Sequence, residues 1–384
     1  MTKGSTSADV AIIGAGVFGA WIAYYLRQSG RSVILLDTYG AGHTRASSGG
    51  ESRLLRMGYG DAELYSRWAV QSLTGWSALF AAKQQPLFHQ TGVLWIARPN
   101  DVLTQATLTT LRRLQIRCEL LNADELANRY PQMKLGKKAW AVLEPDSGVL
   151  MARRAVQTVV NAAIDLGVEY RITEVLPPPE DHWTSLATVN GEQVHARTYV
   201  YACGAWLPKM FPCLLGDKIF STRQEVFYFG CPKGTQAFAP SQLPAWIDFD
   251  NEVYGMPDLE GRGLKVGIDR HGPPFDPDTG DRRISSDGLS MAHTFLRLRF
   301  PSLDKAPLLE TRVCQYENTS TGDFLLDRHP EHANVWLVGG GSGHGFKHGP
   351  AVGKYVTDRI EDEGPVEPLF TLSTKQRVQQ RKIF

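Results

Sequence analysis

The stretch DVAIIGAGVFGAWIAYYLRQSGRSVILLD, from Asp9 to Asp37, decides the fold. Asp9 to Ile13 is a short apolar run ending in glycine, which reads as a buried strand of a parallel sheet. It leads straight into Gly14-Ala15-Gly16-Val17-Phe18-Gly19, a GxGxxG turn. From Phe18 to Gln28 apolar and small residues recur at helical spacing until Gly30 stops the helix, and a second strand, Ser32 to Leu36, ends at Asp37. In such a β-α-β unit Gly14 makes the tight turn, Gly16 lets the backbone approach a pyrophosphate, and Gly19 lets helix and strand pack closely. The helix N-terminus faces the phosphates. Asp37, 18 residues after Gly19, is placed to bond the adenosine ribose hydroxyls. An acid here rather than an arginine argues against an NADP phosphate, while NAD and FAD both stay open.

Outward from this unit the chain runs to 384 residues, enough for two or three domains and a large core. Lys+Arg 41 against Asp+Glu 40 leaves a net charge of +1, a balance that argues against nucleic acid as a partner. No apolar run approaches the roughly 18 residues a membrane crossing needs. The residues before Asp9 are polar, without the apolar core of a secretory signal, so the expectation is a soluble protein of the cytoplasm. Five cysteines, 118, 203, 213, 231 and 314, are widely spaced, with no CxxC pair and no Cys/His ligand spacing. That pattern speaks against a disulfide framework and against a metal site, and leaves any functional cysteine to act alone.

Helical spacing recurs over Leu64 to Ala82 and Asp101 to Leu114, and strand-like runs lie at Thr198 to Cys203, Glu225 to Phe229 and Gly263 to Ile268. Pro177 to Asp181 and His271 to Asp281 read as surface turns. The basic end, Lys375 to Lys382, reads as a solvated helix end or a frayed terminus.

Five further blocks carry a more specific signal. They are Gly49-Gly50-Glu51-Ser52-Arg53-Leu54-Leu55-Arg56, Tyr254-Gly255-Met256-Pro257, Gly263-Leu264-Lys265-Val266-Gly267, Arg312-Val313-Cys314-Gln315-Tyr316, and Asp327-Arg328-His329-Pro330 through Gly343-His344-Gly345-Phe346-Lys347. In order and spacing they resemble monomeric sarcosine oxidase and its relatives, FAD-dependent oxidases of N-methyl and cyclic secondary amino acids in the D-amino acid oxidase superfamily. The resemblance covers nearly the whole chain and implies FAD as the cofactor. It also implies an α/β fold: a discontinuous Rossmann-like FAD-binding domain from residues 1–85, 145–220 and 311–384, and an α+β substrate domain with a mixed antiparallel sheet from residues 86–144 and 221–310.

Residue by residue, the resemblance puts Cys314 where the family tethers the flavin through a thioether. The thiolate this needs would be favoured by a cation such as Arg312. In a strand, residues 312, 314 and 316 share a face, so Tyr316 would lie beside the flavin. Arg56 and Lys347 match the pair that binds the substrate carboxylate. Lys265 matches the lysine that helps reduced flavin react with O2, Arg53 is similar to a basic residue of the same neighbourhood, and Tyr254 with Tyr316 resembles the aromatic pocket walls. Ser52, Gly343, His344, Gly345 and Phe346 belong to the matched cofactor-binding blocks. Pro350 suits the first turn of a helix reaching about Ile360, whose positive end would face the flavin.

One position departs from the family: Asp269 stands where a histidine is common, with His271 two residues on. In the pocket its carboxylate would disfavour a second anion and could bond a cationic or N–H-bearing substrate; it could equally be an exposed turn residue. The resemblance thus implies a monomeric, peroxide-forming oxidase of secondary or N-methylated amines, with hydride transfer to flavin N5 and hydrolysis of the imine. The alternatives are a cyclic imino acid oxidase, an FAD dehydrogenase using another electron acceptor, and a non-catalytic flavin-binding subunit.

Overall fold

The computed structural model describes residues 6–178 and 184–380. Its first strand, β1 (Thr6–Ile13), pairs in parallel with β2 (Val33–Asp37) on one side and with Gln193–Tyr201 on the other. A parallel strand covered on both faces must be apolar throughout. Val10 and Ile12 accordingly join one core with Ala20 and Trp21 of the helix α1 (Val17–Gln28), while Ala11 and Ile13 join another with Tyr201 and Leu337. The sheet runs Leu325–Arg328, Val335–Gly339, Gln193–Tyr201, β1, β2, Glu169–Ile172, and so draws on both ends of the chain and its middle.

A second, eight-stranded sheet runs Leu308–Thr319, Ile219–Phe229, Leu264–Ile268, Val253–Met256, Ala245–Asp248, Val93–Ala97, Trp140–Glu144, Glu119–Leu121. Ala245–Asp248 lies parallel to Val93–Ala97 and the other pairings are antiparallel, which makes the sheet mixed, as expected. The alternation of its strands aims the functional residues. In Leu264–Ile268 the residues Leu264, Val266 and Ile268 enter the core beneath the helix Ser286–Arg299, which turns Lys265 to the opposite face. A small third sheet joins Arg53–Leu55, Gly148–Leu150 and Phe88–His89. Two helices expected from periodicity fall at Glu63–Ala82 and Val102–Arg113, the latter capped by Asp101, whose carboxylate accepts from the Thr104 N–H at 2.8 Å.

Two tail and turn expectations are refined. Of the basic end, residues 376–378 and Gln380 are exposed as expected and residues 381–382 lie outside the described residues, but Lys375 is 3 % exposed and donates to the Leu369 carbonyl at 2.6 Å, and the backbone of Gln376 and Gln380 bonds Ser320. The stretch His271 to Asp281 does stay mostly at the surface, but Phe275 is buried and Asp276 and Asp278 grip Lys209. Of Pro177 to Asp181, residues 179–181 lie outside the described residues. Among the described residues no helix is long and apolar enough to cross a membrane.

Candidate active site

The turn after β1 opens onto a cavity of about 350 Å³, a size that suits a cofactor. Gly14 is at φ +108°, and a Cβ there would lie 2.3 Å from the Ala202 carbonyl oxygen, so only glycine closes this turn. Gly14, Gly16, Asp37, Arg53, Gly343, Gly345 and Phe346 all line the cavity; Gly19, Ser52 and Cys314 do not. The Asp37 carboxylate already accepts from the N–H groups of Ala15, Tyr39 and Gly40 at 2.7–2.9 Å, which fixes it at the end of β2 facing the cavity. Along the same wall sits a carboxyl that sequence reasoning missed, Glu317. Burial pushes its pKa up, against the opposing effect of the Ser47 hydroxyl, which donates to it at 2.7 Å.

A smaller cavity of about 80 Å³ shares Arg53, Tyr316, Gly343 and Phe346 with the first, so the two meet there. Arg56 and Lys347 border it together with Tyr254, Asp269, His271 and His344. Asp269, which the sequence left between turn and pocket, is therefore a pocket residue, and it accepts from the Tyr316 hydroxyl at 3.3 Å. Burial, with the neighbouring Tyr254 and Asp269, holds the Tyr316 phenol well above its ordinary pKa, so it stays a donor.

The positions of the four expected cations are set by long-range contacts. Arg53 reaches the Ser47 carbonyl at 2.7 Å and the Cys314 sulfur at 3.6 Å. The cation at the sulfur is thus Arg53 rather than Arg312, whose guanidinium is taken by Glu51 and Glu310. Arg53, Gln315 and Tyr316, not the sulfur itself, form the cavity wall at this point. Lys265 is 1 % exposed and donates to the Ser52 carbonyl at 2.9 Å, and burial plus the nearby Arg53 lower its pKa well below that of an ordinary lysine. It borders a separate void of about 10 Å³, room for about one water. Lys347 donates to the His344 carbonyl at 3.0 Å, and its own carbonyl is held by the Trp76 indole N–H at 2.9 Å. Arg56 bonds the Gly58 carbonyl and packs 5.0 Å from the Trp95 ring centre.

Sequence reasoning also missed Glu144, which organises this corner. Its carboxylate accepts from the N–H groups of Met57 (2.6 Å), Gly58 (2.9 Å) and the Trp95 indole (2.6 Å), and from Ser147. No spacing could have revealed it, because its amide partners are 86 and 87 residues away.

A glycine-cornered β-α-β unit opening on a cofactor-sized cavity, with a charged side pocket off it, defines a dinucleotide-dependent oxidoreductase. Residues 9–359 match the family of FAD dependent oxidoreductases, and the chain belongs to it. Monomeric sarcosine oxidase from Bacillus sp. (strain NS-129) is 29 % identical over 358 residues, covering 91 % of this chain and 92 % of its own. N-methyl-L-tryptophan oxidase from Salmonella arizonae is 27 % identical over 366 residues, covering 93 % and 95 %. Among solved structures, L-proline dehydrogenase from P. horikoshii superposes with a TM-score of 0.83 at 19 % identity, over 96 % of this chain and 97 % of that one. The open form of NikD, an amino acid oxidase, gives 0.78 at 21 %, over 96 % and 98 %.

Proposed function

We propose that the protein oxidises a small amino acid bearing a secondary or N-methylated amine, with FAD in the large cavity and the substrate in the small one. The observation that carries this is the side pocket itself: it adjoins the large cavity at Arg53, Tyr316, Gly343 and Phe346, with buried Arg56 and Lys347 in its wall along with the acid Asp269. Such a wall offers seats for both ends of a zwitterion. The names of the relatives, oxidases of sarcosine and of N-methyl-L-tryptophan, support the same class.

FAD bound there would take a hydride from the carbon beside the amine nitrogen and pass the electrons to dioxygen, giving hydrogen peroxide, while water hydrolyses the imine. The chain supplies positioning and charge. Arg56 and Lys347 bind the carboxylate, which turns the amine-bearing carbon toward the junction of the cavities. Asp269 and the Tyr316 hydroxyl hold the amine N–H. Cys314, whose sulfur the Arg53 guanidinium reaches at 3.6 Å, is the point of covalent attachment. Lys265 stabilises negative charge developing on dioxygen.

A second reading, a dehydrogenase with another electron acceptor, draws on one observation: Lys265 borders neither of these two adjoining cavities. One experiment tests both. The oxidised holoenzyme is mixed without air with N-methyl and cyclic amino acids, then exposed to air while peroxide is counted. Bleaching of the flavin followed by one peroxide per substrate is expected. Bleaching without peroxide selects the dehydrogenase, and no bleaching by any amine refutes the amine-oxidising reading.

A further inference from the structure

Behind the side pocket lies a residue that touches neither cavity. Tyr59 is 2 % exposed, and its ring centre is 4.1 Å from the Arg56 guanidinium carbon and 4.9 Å from the Lys347 ammonium nitrogen. Two cations gathered in a buried place repel each other across a low dielectric. The face of a phenol ring attracts each of them without cancelling its charge, as a carboxylate would.

The hydroxyl of the same ring is fixed by two histidines. His344 Nε2 faces the Gly322 carbonyl at 3.0 Å; a carbonyl only accepts, so Nε2 carries the hydrogen, and in the neutral ring Nδ1 accepts from the Tyr59 hydroxyl at 3.2 Å. The Tyr59 oxygen then accepts from His348 Nε2 at 2.7 Å, which leaves His348 Nδ1 bare. That nitrogen is buried with no hydrogen-bond partner, as a neutral ring in this tautomer allows. Burial, then Lys347 and Arg56, drive the His348 pKa well below its usual value, so no third positive charge joins the pair.

We propose that Tyr59 is the positioning residue of the carboxylate clamp: its ring holds Arg56 and Lys347 together as one anion seat, and its hydroxyl, held between His344 and His348, sets the plane of the ring. This rests on the reading above in which Arg56 and Lys347 receive the substrate carboxylate. Tyr59 acts through them and does not meet the substrate.

The test uses the holoenzyme and its flavin absorbance, titrated with tetrahydrofuran-2-carboxylate, which carries the carboxylate and no amine. Tyr59→Phe keeps the ring and should bind this probe within about threefold of the natural protein, because the cation–π contacts remain. Tyr59→Leu removes the ring and should weaken both the probe and the substrate KM by about tenfold or more, while the flavin reduction rate at saturating substrate changes less than about threefold. Tyr59→Met, of similar volume and without a π face, takes the place of Tyr59→Leu if that variant does not retain flavin. Rescue by Phe combined with a KM-only loss supports the proposal, since damage to the fold would move both constants. Unchanged probe binding in Tyr59→Leu or Tyr59→Met overturns it, and so does an equal loss in Tyr59→Phe. If the natural protein reduces its flavin with amines but does not bind the probe, the clamp itself falls and this inference with it; if no amine reduces the flavin, the failure lies with the function proposed above.

Discussion

Replacing Glu144 with glutamine should cost both stability and substrate affinity, for reasons that can be counted. The side chain is 1 % exposed and receives four hydrogen bonds, two on each oxygen: Gly58 N–H and the Trp95 indole on one, Met57 N–H and Ser147 on the other. Glutamine has nearly the same shape but presents an amide N–H₂ to one of these pairs. The best orientation turns that group toward Ser147, whose hydroxyl can rotate and accept, so one buried donor, the Met57 N–H, loses its acceptor at about 1–3 kcal/mol. The surviving bonds lose their charge assistance, which brings the total to about 2–4 kcal/mol. At roughly 2 °C per kcal/mol for a protein of this size, the midpoint of thermal unfolding should fall by about 4–8 °C. The functional effect follows from what those donors hold. The Arg56 guanidinium bonds the Gly58 carbonyl and packs on Trp95, so the loosened segment should raise KM about tenfold and leave the saturated rate nearly alone. Thermal unfolding followed by flavin fluorescence, with steady-state kinetics alongside, reads both effects. A midpoint within about 1 °C and a KM within about twofold of the natural protein would refute the assignment of Glu144 as the anchor of this corner.

Four further outcomes are expected. Cys314→Ser should release its yellow cofactor on acid denaturation while the natural chain keeps it, a difference that mass analysis of the denatured polypeptide reads directly; cofactor freed equally from both would remove the covalent link. Lys265→Met should slow reoxidation of the reduced enzyme by O2 about a hundredfold, from a unit charge acting over about 5 Å at an effective dielectric near 20, with anaerobic reduction little changed; equal slowing of both half-reactions would contradict that role. Because the bound amine must lose its proton before giving up a hydride, the rate of flavin reduction should rise with pH, and Asp269→Asn should move the midpoint of that rise to lower pH by withdrawing the carboxylate that favours the ammonium; an unmoved midpoint counts against Asp269 as the amine seat. Lys375, lowered to about 8 chiefly by burial, binds its proton more weakly folded than unfolded, so stability should rise between about pH 8 and 10.5 in the natural protein relative to Lys375→Met, and a flat difference would contradict its burial.

What was legible in the sequence is what local sterics or strand alternation dictate. Gly14 and Gly19 announce themselves because backbone packing at those two positions admits no Cβ, and Tyr316 could be aimed because a strand has period two, whereas Lys265 was placed only by the family resemblance. The misplaced expectation is instructive in the same terms. Arg312 was the natural candidate to accompany Cys314, being two residues away on the same strand face, yet Glu51 and Glu310 claim it and the contact at the sulfur comes from Arg53, 261 residues distant. Tyr59, Glu144 and His348 were invisible for the same cause: each acts through partners from separate elements, and each residue type reads by itself as ordinary core. Lys375 looked solvated because a basic run usually is; only the turn Leu372–Thr374 and the Leu369 carbonyl explain its burial.

The partners of the buried cations bear on the proposal that this site takes an anion. Arg153, Arg262 and Arg312 share the carboxylate of Glu51, and Arg262 and Arg312 also pair with Glu310, so two carboxylates offset most of the charge of these three arginines. Arg53 and Lys265, a few residues or one strand away, instead satisfy their hydrogens on the carbonyls of Ser47 and Ser52, and among the described residues neither is paired with a carboxylate. A carbonyl dipole completes a hydrogen bond without cancelling a unit charge, so neither side chain is neutralised by the partner that holds it. The cost is visible at Lys265, where desolvation and the like charge of Arg53 both press the ammonium to give up its proton. Negative charge arriving beside it must therefore raise its proton affinity, and by reciprocity a protonated Lys265 must stabilise that negative charge. The lysine is thus held in the state most responsive to an electron-rich neighbour, which a salt bridge to Glu51 in the manner of Arg312 would have prevented.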